Sequence, residues 1–99
     1  MNPEELFWSI AEDVMSARVE EGTMMGHRCL RADGEFAAMV SRHEQALIVK
    51  LSADRVDALI AAGTGEPFAP AGKVFKEWVL IPAVDEPTWR SLMQEAVGR

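Results

Sequence analysis

The chain has 99 residues, 48% of them apolar and 26% charged, with a net charge of −6 and a single cysteine. That length suits one domain, 1–99, large enough to fold without a metal or a disulfide staple. One cysteine excludes an internal disulfide, and the acid-led start MNPEELFWSI lacks the basic residues of a secretory signal, so a cytoplasmic location is expected.

No apolar run approaches the roughly 20 residues that span a bilayer, and no membrane contact is expected. Acids Glu4, Glu5, Glu12, Asp13, Glu20 and Glu21 crowd the first stretch against Arg18 alone. Such a surface repels phosphate, so no direct nucleic-acid binding is expected. Arg28, Arg31, Arg42 and Lys50 lie close in sequence and read as solvated strand edges and turns.

In chain order, residues 3 to 20 read as an amphipathic helix. Leu6, Phe7, Ile10, Ala11, Val14 and Ala17 recur at helical spacing, Asn2 caps, Pro3 suits the first helical position, and Gly22 ends the run. Three strands follow: 24 to 31, "EFAAMVS" and "QALIVKL", with Asp33-Gly34 as a two-residue hairpin turn and a second turn around His43-Glu44. "LSADRVDALIAAG" reads as a second helix capped by Ser52 and ended by Gly63. A loop with a short strand near Phe68 to Pro70 leads to the strand "VFKEWVLI", ended by Pro82. Asp85 then caps a last helix whose Trp89, Leu92, Met93, Ala96 and Val97 share one face. The order α-β-β-β-α-(β)-β-α predicts an α+β domain of two layers: an antiparallel sheet of about four or five strands with helices on one face.

The other face draws attention. Alternation places Phe75, Glu77, Val79 and Ile81 on one side of the last strand and Lys76, Trp78 and Leu80 on the other. In "QALIVKL", Leu47, Val49 and Leu51 oppose Ile48 and Lys50. Trp78, Ile48 and Leu80, extended by Met39 and Ala37, make a face too apolar for water. It predicts either a contact surface for a protein partner or a second copy, or a face that a loop or the terminal helix covers.

His27 and Cys29 are two apart and share a face. Two ligands fall short of the three or four that a zinc site needs, so no metal and no cofactor is expected. A Cys29 nucleophile would need a base, and His27 offers one only by adjacency, so no catalytic residue is assigned. Nucleotide-loop and nucleophile-elbow motifs are absent.

The residues Met25-Gly26, Gly34-Phe36-Ala37, Leu47 to Lys50, Gly63 through Pro67-Phe68, Pro82 and Trp89, in that order, resemble the TfoX N-terminal-domain family. The resemblance spans residues 5 to 97. It implies a two-layer, secretion-chaperone-like α+β fold, often paired as dimers, and a link to regulation of competence. It carries over no catalytic residues. The leading expectation is a non-enzymatic domain acting by protein–protein contact as an indirect transcription regulator. The alternative is a small-molecule-binding domain or enzyme with a pocket between the first helix and the sheet, near Met25, His27 and Cys29.

Overall fold

The computed structural model describes residues 2–24 and 26–98. Helix α1 (Pro3–Val14) starts from a capping box: the Glu5 amide donates to the Asn2 side chain at 2.8 Å, and the Asn2 amide donates to Glu5 Oε1 at 3.2 Å. Strands β1 (Val19–Met24), β2 (His27–Ala32), β3 (Glu35–Ser41) and β4 (Ala46–Lys50) follow, then α2 (Ala53–Ala61), the two-residue strand β5 (Glu66–Pro67), a short 3-10 turn, β6 (Trp78–Ile81) and α3 (Glu86–Ala96). Among the described residues the sheet has six antiparallel strands in the order β1-β2-β3-β4-β6-β5. The α+β, two-layer expectation holds, with one strand more than foreseen.

That extra strand comes from the first helix, which stops at Val14 rather than running to residue 20. Past Val14 the helical stripe has no bulk left to bury, since Ala17 is exposed and Met15 is 39% exposed. Residues 19 to 24 gain more by pairing along β2, which also buries Val19. Gly22, expected to end the helix, lies instead in the middle of β1. The first hairpin is therefore β1–β2, turning through Gly26 (φ +80°), and Asp33-Gly34 makes the second, with φ of 53° and 82°.

All three helices pack on one face. Phe7, Ile10, Ala11 and Val14 of α1, Val56 and Leu59 of α2, and Trp89, Leu92 and Met93 of α3 join Leu30, Val40, Leu47, Val49, Val79 and Ile81 of the sheet in one core. The buried Trp89 indole donates to the Ala83 carbonyl at 2.8 Å, which satisfies its only polar atom. Strand β3 carries a bulge: Arg31 pairs with Phe36 and Leu30 with Ala38, leaving Ala37 as the extra residue. The bulge turns both Ala37 and Ala38 toward the helices, so Ala37 does not extend the opposite patch.

The last strand is also shorter than read. It begins at Trp78, and the Trp78 amide closes a turn onto the Phe75 carbonyl at 3.1 Å. Phe75 thus leaves the alternation, and its ring lies against Trp78 instead of facing the helices. The short strand β5 falls at Glu66–Pro67, just before the expected Phe68 to Pro70.

Candidate functional site

The second face of the sheet holds its own apolar layer. Cys29, Phe36, Met39, Ala46, Ile48 and Leu80 form it, with Met24, Phe68 and Trp78 packed against it. The register explains the grouping: Met39 pairs with Ile48, Ile48 with Leu80, and Lys50 with Trp78, so these side chains stand in two rows across β3, β4 and β6. Ile48, Met39 and Leu80 are only 1%, 5% and 8% exposed. Of the four residues singled out from sequence, Trp78 alone is half-buried.

The loop 68–77 does much of the covering. The Phe75 amide donates to the Phe68 carbonyl at 2.9 Å and draws the loop into a compact excursion. Phe36, Trp78 and Phe68 stack nearly parallel, with centroids 4.2 and 5.5 Å apart and interplanar angles of 14° in both pairs. Phe75 closes edge-on to both Trp78 and Phe68, at 5.2 and 5.7 Å. All four phenylalanine and tryptophan rings in this group lie on one side of the sheet, and three of them, Phe68, Phe75 and Trp78, are half-buried. Next to them Val74 is 55% exposed. Ala53, Lys73, Val74, Phe75, Lys76, Glu77 and Trp78 line a shallow depression of about 510 Å³. Lys73 and Lys76 line this depression together with Glu77, and Lys50, paired with Glu35, stands beside Trp78, on a molecule whose net charge is −6.

Sequence reading found Trp78 but missed Phe36, Phe68 and Phe75. The available signal was weak: two phenylalanines flanking a Pro-Gly loop, with a tryptophan three residues beyond. Nothing local fixes that their rings meet.

The pair His27 and Cys29 stands on the second face too, opposite α1. On the face that α1 covers, Phe7 and Ile10 are fully buried. Met25 lies outside the described residues. Cys29 is fully buried, and burial pushes its thiol above the ordinary range. A protonated, enclosed thiol is a poor nucleophile. Among the described residues, no three His, Cys, Asp or Glu side chains gather to hold a metal.

A second cleft, about 440 Å³, opens where the β2–β3 turn meets the end of α3. Its charged side chains are largely paired. Arg18 bridges Asp33 at 2.6 Å, Lys50 bridges Glu35 at 3.3 Å, and Glu95 meets Arg55 at 3.0 Å. Arg18 holds the Asp33 carboxyl below the usual carboxylate range. Cations already matched with carboxylates leave little to attract a ligand.

No helix among the described residues is long and apolar enough to cross a membrane. Comparisons of the chain with protein-family models, with curated proteins and with solved structures find no match.

Proposed function

We propose that this chain is a non-enzymatic, cytoplasmic domain of the TfoX N-terminal type that works by protein–protein contact. Its partner is a second copy or another protein, and its effect on transcription is indirect. The observation that carries the reading is the aromatic ledge: three half-buried rings and the exposed Val74, with Lys73 and Lys76 beside them on an acidic chain. Aromatic side chains are enriched in contact hot spots, and the lysines beside them favour an apolar segment with acidic flanks. The contact surface is moved accordingly from the sheet centre at Ile48, Met39 and Leu80 to the ledge at Phe68, Val74, Phe75 and Trp78.

Sedimentation equilibrium of the native chain beside Val74→Asp and Trp78→Ala tests this. Val74 is exposed, so its substitution leaves the packing intact while placing a charge in the contact. A native dimer that Val74→Asp dissociates supports the ledge as a self-contact. A dimer untouched by both variants rejects it. If the native chain is monomeric, the ledge must instead retain an acidic-flanked apolar peptide, with binding lost in Val74→Asp, or the reading fails.

A further inference from the structure

Of the two edge strands of the sheet, β5 has two residues and β1 has six, and β1 lies at the opposite end from the ledge. An unpaired edge strand is a template for another strand. The Asp33 amide donates to the Arg18 carbonyl at 2.8 Å, which makes Arg18 and Asp33 a hydrogen-bonded pair. The antiparallel alternation then makes Glu20/Arg31, Gly22/Cys29 and Met24/His27 hydrogen-bonded pairs as well. The backbone groups of Glu21 and Thr23 therefore point outward, into the open edge.

A second copy can meet that edge in one favourable register. With the two-fold axis at Gly22, Glu21 pairs with Thr23 and Glu20 with Met24. Glu21 and Thr23 are the residues whose N–H and C=O groups face outward, so this register makes four backbone hydrogen bonds around a Gly22–Gly22 approach. No like charges stand opposite. Centring the axis on Glu21 would instead oppose two glutamates, which is unfavourable.

One side chain stands in the way. Arg31 crosses over Gly22 so closely that its Cδ and Nε lie 2.8 Å from where a Cβ would be. Its Nη2 donates to the Thr23 carbonyl at 2.9 Å, and its Nη1 to the Gly34 carbonyl at 3.0 Å. Among the described residues no carboxylate bridges to it, although Glu20 is its cross-strand neighbour. Two of its donors go to backbone carbonyls, and one of these is the acceptor that edge pairing needs.

We propose that Arg31 is a strap that holds the β1 edge closed against strand addition by a second copy of this chain. Glycine at position 22 is what lets the strap lie flat. The inference is independent of the ledge, because it concerns the other end of the sheet.

The test is sedimentation velocity over a concentration series for the native chain, Arg31→Met and Gly22→Ala, each checked for native circular dichroism. Arg31→Met keeps the aliphatic stem and removes the donors. Gly22→Ala keeps the guanidinium and pushes it off by its methyl group. Both should self-associate at least ten-fold more tightly than the native chain does. Adding Thr23→Pro, which removes the outward N–H without touching the β2 ladder, should reverse it. The proposal is overturned if either folded variant sediments as the native chain does. It is equally overturned if Thr23→Pro leaves the new association intact. Should Arg31→Met not fold, Gly22→Ala decides alone.

Discussion

Cys29 shows how one side chain changes meaning once its surroundings are known. From sequence it is a nucleophile candidate beside a histidine. In the fold it is a small apolar residue at the centre of the second layer, touching the cluster of Met39 and Ile48. Its thiol is pushed up by desolvation, so the reactive thiolate is depleted at neutral pH. Labelling by a small disulfide reagent at about pH 7 is therefore expected to be at least ~100-fold slower than in a denatured chain. It should also accelerate with urea as the domain opens. Fast native labelling would revive the reading of a reactive pocket. Arg28 is a parallel case: it bridges Glu21 at 2.6 Å and lies over the Trp8 ring at 4.1 Å, a role in joining α1 to β1 and β2 that its place in a loose basic run did not disclose.

Among the elements, the helices were legible because their signals are local. Asn2, Ser52 and Asp85 each cap the helix that follows, and the apolar residues of each recur at its period. The faces of β4 and β6 were legible for the same reason, since alternation assigns sides without knowing the partner strand. The strands that failed are those whose state depends on a partner. β1 lies in a stretch that helix propensity also tolerates, and Phe75 leaves its alternation through a turn. The β5–β6 pairing offers a check on the short edge. A Cβ at Gly65 would fall 2.5 Å from Val79 Cγ2 and 3.3 Å from Ile81 Cδ1. Gly65→Ala is thus expected to cost about 1–3 kcal/mol by overpacking. A urea midpoint unchanged by that substitution would mean that β5 is not held against β6.

For the whole molecule, charge sets the conditions of stability. The acids outnumber the bases by six, and several are engaged in exposed ion pairs. Arg18 holds Asp33, and Arg28 holds Glu21, below the ordinary carboxylate range, in each case chiefly through the side-chain hydrogen bond. A carboxyl with a depressed native pKa contributes stability that is fully present above its unfolded value. That contribution is lost as pH falls through the native value. The urea midpoint should therefore fall between about pH 5 and about pH 2. Asp33→Asn should remove part of that fall, and high salt should shrink it. An acid limb identical in native and Asp33→Asn chains would show that the Arg18 pair contributes nothing. Because the pairs are exposed, their individual contribution is small.

The amino-acid order was enough to settle the α+β class, the three helix starts, the Asp33-Gly34 turn and which residues of β4 and β6 share a side, because caps, turns and periodicity act over a few neighbouring residues. It was also enough to show that the second face is too apolar for water. How that face is covered was settled by contacts distant along the chain. Phe36 and Trp78 are separated by 42 residues yet stack at 4.2 Å. Arg31 reaches the Thr23 carbonyl only because β1 abandons the helix to pair with β2. Such contacts pay their loop-closure entropy only within the assembled sheet, so no local pattern announces them.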